Sequence, residues 1–254
     1  MTLELLICTI DEGIERLKDS LCPLPSRDDV HYLVSWQYTT PELPRVPEWL
    51  SDRTDVTILQ LQGKGLCKNR NFALEHATGD ILKICDDDER WTLEYFDTIL
   101  DTYRNHPEYD IVHFQAIGPT KKYPPRFVSS FEITMQREKI GRLRFDERFG
   151  LGSDYLNAGE EDVLMYDALR MGLHIHYEPQ PICQTRANTT GDNISNPLLQ
   201  RSKGAVFYRT GGYGYACYKA VRETLGWTLR KGMNPITMLR NMWWGINYIR
   251  TWQP

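Results

Sequence analysis

The chain has 254 residues, 41% hydrophobic and 25% charged, which is the balance of an ordinary folded domain and not of a disordered, fibrous or membrane-embedded chain. Its net charge of −4 is unevenly spread: from Arg186 onward ten Lys and Arg face only Asp192 and Glu223, about +8, which leaves about −12 on the rest. An acidic body with a basic tail is not the profile of a nucleic-acid binder, and it suits a domain whose end touches an anionic surface.

The opening "MTLELLICTIDEG" has no basic stretch ahead of its short apolar run, so the expectation is a cytoplasmic protein without a signal peptide. "LELLICTI" has strand length, and in "DEGIERLKDSL" the residues Ile14, Leu17 and Leu21 fall at helical spacing. "HYLVSWQYT" and "DVTILQLQG" read as a second and third strand, the third ended by Gly63 and Gly65. "CKNRNFALEHATG" reads as a helix with Gly79 at its C-cap, and "DILKIC" as a fourth strand. This alternation predicts an α/β fold, a mainly parallel sheet flanked by helices, with ligands at the carboxyl ends of its strands. The six cysteines include no C-x-x-C pair, which argues against a zinc site or a disulfide framework and for a reducing compartment.

Asp86, Asp87, Asp88 and Glu89 follow the fourth strand directly. Like charges so placed repel, and a hard divalent cation such as Mg2+ or Mn2+, bound together with substrate phosphates, relieves them. The same residues also suit a solvated turn that caps a helix through "LEYFDTILDTY". Taken alone, Arg70 reads as a helix-surface partner of Glu75. Gly159 followed by Glu160, Glu161 and Asp162 is both an ordinary helix start, acids meeting the dipole, and a store of carboxylates larger than a cap needs. Lys83 inside a strand requires a carboxylate partner or partial exposure.

Taken together, "GKGLCKNRNFALEHATGDILKICDDDERW" and "FDERFGLGSDYLNAGEEDVLMYDALRMGLHIHYEP" resemble the two halves of family 2 glycosyltransferases of the inverting, Rossmann-like GT-A fold. The first shows the Arg70-Asn71 pair, the Gly79-Asp80 step and an Asp-x-Asp motif at Asp86, Asp87 and Asp88; the second shows the Gly-Glu-Glu step. The resemblance implies that Asp88 ligates a metal and that Asp86 meets the donor's ribose or the metal shell. It implies that Thr9 and Arg70, with Asn71 and Asp87, serve a nucleotide-diphosphate sugar. Glu161 would be the general base that deprotonates the acceptor hydroxyl, or Asp162 if the loop is shifted by one residue. The acceptor would be a glycan or a lipid-linked glycan of a bacterial surface polysaccharide, capsule or O-antigen.

Two departures stand out. No His follows the strand after this helix, where "EPQPICQTRANTTGD" offers Cys183, Gln184 and Arg186, and His174 and His176 read as strand residues sharing one face. The second strand carries Ser35, Trp36 and Gln37 where relatives often have acids that read the base, so the nucleotide stays undecided. The expected organisation is a catalytic domain over about residues 1–190, its nucleotide-sugar half about 1–90 and its acceptor half about 91–190. A basic, mostly helical extension fills about 191–254. In that extension Asn234 caps a helix whose stripe of Met238, Leu239, Met242, Trp243, Ile246 and Ile249 either packs on the protein or lies at the cytoplasmic face of the inner membrane. A nucleotidyltransferase and an inactive nucleotide-sugar scaffold are the rival readings. The first is disfavoured because "CTIDEGIERL" has a single Gly where a phosphate loop would need several.

Overall fold

A computed structural model describes residues 1–118, 128–185 and 194–252. Much of the loop "GPTKKYPPRFVSS", expected to shape specificity, and Arg186 lie outside those residues. The described chain divides into two compact units: the described residues within 1–64, 68–144 and 167–185 form the first, and those within 65–67, 145–166 and 194–252 the second.

The first unit is built on β1 (Leu3–Ile10), β2 (Val30–Tyr38), β3 (Val56–Gln62) and β4 (Ile81–Asp86), parallel in the order β3-β2-β1-β4. All of β1 except Ile10 is buried, as a central strand covered on both faces must be. Beyond β4 the sheet is mixed, with β7 (Ile133–Gln136), β6 (Ile111–Ile117), β8 (Ile175–Thr185) and β5 (Glu89–Arg90) completing eight strands. β7 runs antiparallel to both its neighbours, β6 and β8 are parallel, and β5 is antiparallel to β8. Because β5 starts only three residues after β4 ends yet closes the far end of the strand order, the sheet curls back on itself. Between the sheet's elements lie α1 (Lys18–Leu21), α2 (Glu48–Ser51), α3 (Leu66–His76), α4 (Leu93–Asn105) and α5 (Arg137–Ile140).

Two local expectations need correction. "DEGIERLKDSL" is a 3-10 segment, Asp11–Leu17, running into the short α1, although Ile14, Leu17 and Leu21 are buried as expected. Its first turn is tethered: Asp11 has φ of 46°, its carbonyl accepts from Trp36 Nε1 (2.9 Å) and its carboxylate from Thr39 N (2.8 Å). Nor does Gly79 cap α3, which ends at His76. A Cβ at Gly79 would lie 2.5 Å from Glu4 Cβ, and the buried Glu4 carboxylate accepts from Thr78 N (2.6 Å) and Gly79 N (2.8 Å). Asp80 in turn accepts from Thr2 N (2.7 Å). The Gly79-Asp80 step therefore staples the starts of β1 and β4 together, at the strand ends opposite the acidic run.

The second unit holds the start of α6 (Glu160–Arg170) and the pair α7 (Pro197–Lys231) and α8 (Pro235–Thr251). α7 is broken at Gly212, whose φ of 72° and ψ of −175° only glycine adopts freely. Asn234 caps α8 as expected, accepting from Ile236 N (3.0 Å) and Thr237 N (3.1 Å). Most of the α8 stripe is packed inside the unit: Met238, Met242 and Ile246 are fully buried with Ala216 and Ala220 of α7 and Ile249 is buried too, whereas Leu239 is half-buried and Trp243 is exposed. The two helices touch backbone to backbone, since a Cβ at Gly204 would strike the Met242 carbonyl and one at Gly245 the Arg201 carbonyl. No helix among the described residues is long and apolar enough to cross a membrane.

Candidate active site

β1 pairs with β2 on one side and β4 on the other, so its carboxyl end lies where connections leave the sheet in opposite directions. There the Thr9 hydroxyl donates to Asp87 Oδ2 (2.6 Å), while Arg16 forks onto the same carboxylate, Nε to Oδ1 (2.9 Å) and Nη2 to Oδ2 (2.7 Å). Charge-assisted, two-pronged pairing of this kind fixes orientation as well as charge. The clamp closes only because residue 13 is glycine: a Cβ there would collide with Thr9 Oγ1 and lie 2.5 Å from Asp87 Oδ2.

Arg70, on α3, is 1% exposed, which removes the reading of a surface partner for Glu75. Its Nη2 donates to Asp86 Oδ1 (3.0 Å) and to Ser130 Oγ (2.6 Å). Ser130 is offered by a 3-10 turn, Ser130–Glu132, closed by a capping box between Ser129 and Glu132. Beside Arg70, Asn69 spans two strand ends, its Nδ2 donating to the carbonyls of Thr9 (3.1 Å) and Ser35 (2.9 Å) while its Oδ1 accepts from Ser35 Oγ (2.5 Å). Asn71, the motif's other member, is buried on the same helix.

A buried ion pair backs the acidic turn. Lys83 Nζ donates to Glu89 Oε2 at 2.6 Å, both side chains being wholly inaccessible. Trp91 Nε1 donates to the same oxygen (3.0 Å), and Glu89 Oε1 accepts the backbone N–H of Asp86 (2.6 Å). Lys83 thus finds the partner its position demands, and Glu89 spends its carboxylate on the turn instead of joining the acidic cluster. The Asp triplet caps no helix: α4 begins at Leu93 with Thr92 at its N-cap position. The turn is a β4–β5 connection with its own internal supports.

Asp87 and Asp86 are held by arginines, whereas Arg16 acts on Asp88 only as a nearby charge. Asp88 is half-buried, and no salt bridge reaches it among the described residues. Burial first, and then the charges of Asp86 and Asp87, push its carboxyl above the ordinary range. That is the electrostatic setting a divalent cation relieves. Among the described residues no three His, Cys, Asp or Glu gather into a ready-made metal cage. One or two carboxylates completed by phosphate and water is the manner in which Mg2+ is usually bound, so these residues fit a cation that shares its shell with the donor.

The acidic step of the second unit is also formed. Gly159 has φ of 91° and passes against Val206, and α6 then opens with Glu160, Glu161 and Asp162. The three carboxylates diverge: Glu160 is buried against Gly150, Glu161 is half-buried and Asp162 is exposed. Although water reaches it, the protein around Asp162 desolvates its carboxyl enough to raise the pKa, an effect that the charge of Lys203 only partly offsets.

Sequence reasoning missed Arg16, Asn69 and Ser130 as parts of the site, the only available signal for them being a basic side chain in the connection after the first strand, and it counted Glu89 with the acidic cluster and not as the partner of Lys83. Ser35, Trp36 and Gln37 are buried, with Ser35 and Trp36 spent on Asn69 and Asp11. His176 stacks on Tyr109, ring centres 4.1 Å apart, and His174 lies just ahead of β8 on the surface. All six cysteines are free thiols, and burial pushes that of Cys8 up to about 12, far from reactive.

A curled mixed sheet with flanking helices, an acidic turn at the carboxyl end of its fourth strand and a helical C-terminal region define a GT-A-like fold. The chain belongs to glycosyl transferase family 2, whose sequence model matches residues 11–157, and it is a glycosyltransferase. Among solved structures it is similar to S. aureus TarS 1–349, at 12% identity and a TM-score of 0.61 over 98% of this chain and 91% of that one. The same protein in complex with UDP-GlcNAc gives 12% identity and a TM-score of 0.62 over 98% and 92%. A longer TarS structure gives 14% and 0.60 over 91% of this chain but 44% of that one. Curated protein sequences yield no match.

Proposed function

We propose that this enzyme moves a single sugar, with inversion, from a nucleotide-diphosphate sugar to a hydroxyl of a glycan or lipid-linked glycan in bacterial surface-polysaccharide synthesis. The observation that carries the donor assignment is Asp88, a half-buried carboxylate of raised pKa beside two aspartates already held by arginines. Asp88, with Asp86, would hold Mn2+ or Mg2+, which when bound neutralises charge on the departing diphosphate. Thr9 and Arg16 orient Asp87, and Arg70 orients Asp86, so the donor meets a turn that needs no rearrangement. The exposed part of Arg16, whose side chain is 55% accessible, suits a phosphate oxygen. Glu161 is the base that takes the acceptor proton, with Asp162 the alternative. The enzyme acts in the cytoplasm, its C-terminal helices at the inner membrane face.

UDP is the first nucleotide to test, because the similar TarS structure holds UDP-GlcNAc. Thermal shift with UDP, GDP, dTDP and CDP, with and without Mn2+, reads the donor site directly. One diphosphate should stabilise the wild type by about 2.7 kcal/mol at a hundredfold excess over Kd, only with metal. Asp88→Asn should abolish the shift. A metal-independent shift that survives in Asp88→Asn would remove Asp88 from the donor site.

A further inference from the structure

The α7 segment beyond Gly212 is apolar on two faces. Ala216, Ala220 and Thr224 are buried on the face packed in the unit's core, beside α8. On another face Tyr218 (62% exposed), Val221, Leu225 (56%) and Leu229 (86%) recur at spacings of three and four residues and lie open to solvent. A helix with apolar residues on one face only needs a single cover, and this one calls for two.

We infer that the Tyr218–Leu229 stripe is a docking surface for an anionic phospholipid bilayer, lying in the headgroup plane. Charge chooses the occupant. Arg222 and Arg230 are exposed along this segment, and its only acid, Glu223, is 4.0 Å from Lys219. Lys219, Arg222, Arg230 and Lys231 against Glu223 alone make this segment of α7 cationic, so two copies meeting stripe to stripe would repel, whereas acidic headgroups attract it. An interfacial helix has this composition: aliphatic and aromatic side chains on one face with basic residues beside them. The inference deepens the membrane location proposed above and moves it from the α8 stripe, which is largely buried apart from Trp243, to α7. It does not depend on the catalytic assignment, because the binding is read without turnover.

Co-sedimentation of the full chain with phosphatidylcholine vesicles, with and without phosphatidylglycerol, tests it. The wild type should pellet with the anionic vesicles and release as salt rises. Leu225→Ser/Leu229→Ser should weaken binding by at least about tenfold. Arg222→Gln/Arg230→Gln should remove the preference for anionic lipid; all four side chains are exposed, so melting temperatures should hold. The inference is overturned if the wild type binds neither vesicle, or if the serine variant binds as well as the wild type. It is equally overturned if sedimentation velocity shows a dimer that the serine variant dissolves while vesicle binding is absent. Loss of lipid binding with nucleotide binding intact would leave the transferase reading standing.

Discussion

Arg70 and Lys83 are cations that the fold places out of water, and each is tolerable only because a carboxylate comes with it. For Lys83 the magnitudes are instructive. Exchanging a buried pair for apolar residues is often near neutral, whereas removing one partner costs about 3–5 kcal/mol. Lys83→Met should therefore lower stability by about that amount in denaturant titration, and Lys83→Met/Glu89→Leu should recover much of it, less the two hydrogen bonds Glu89 accepts from Asp86 N and Trp91 Nε1. A double variant no more stable than the single one would show that those bonds, not the lone charge, dominate. The base is separable at the same scale. Glu161→Gln should cut turnover by about 10²–10⁴ while donor binding persists, and Asp162→Asn should do so instead if the raised pKa of Asp162 marks the base. Turnover untouched by both would move the base elsewhere, and an inactive scaffold would show no turnover to lose.

Glycines decide the packing of elements here, and they predict opposite outcomes for one substitution. In a helix, replacing Gly by Ala gains up to about 1 kcal/mol from backbone entropy. At Gly226 of α7 nothing lies within 4 Å of the new methyl, so Gly226→Ala should stabilise. At Gly245 the methyl meets the Arg201 carbonyl, a backbone atom that cannot turn aside, so the helices must separate at about 1–3 kcal/mol, more than the gain. Urea midpoints of the two variants should move in opposite directions. The strands β1 to β4 were legible in the sequence, each as a short apolar run with turn residues after it. The 3-10 form of Asp11–Leu17 was not, because the hydrogen bonds that shape it come from Trp36 and Thr39, more than twenty residues away. Gly79 misled for the same reason: its constraint is Glu4, not the end of its own helix.

Across the molecule, carboxylates paired with arginine set the acid limit. Burial tends to raise the pKa of Asp55 and of Asp146, but Arg53 outweighs it at the first and Arg148, with Arg209, at the second; both end below the ordinary value of 3.8. A folded-state pKa below the unfolded one means the unfolded chain binds the proton first. The stability these pairs contribute is thus complete above about pH 5, and it is lost as pH falls through the lowered values. The share of stability owed to these pairs should be constant from neutral to mildly acidic pH and then drop, while Asp88 and Asp162, whose pKa values are raised, act in the opposite direction. Arg148→Gln should make that drop shallower in melting temperatures followed against pH, since Asp146 then loses the guanidinium that outweighs its burial.

Taken alone, the sequence determined the family and the strand-helix alternation, because both are written in residues adjacent along the chain: apolar runs, their spacing, and the turn residues between them. The tertiary structure alone decided which aspartates are held by an arginine and which is not. Thr9 and Arg16 reach Asp87 across more than seventy residues, and Arg70 reaches Asp86 and Ser130 from a helix that by itself reads as a surface element. It also decided that most of the α8 stripe is core while α7 carries an open one, because helical spacing shows which residues share a face but not what covers it.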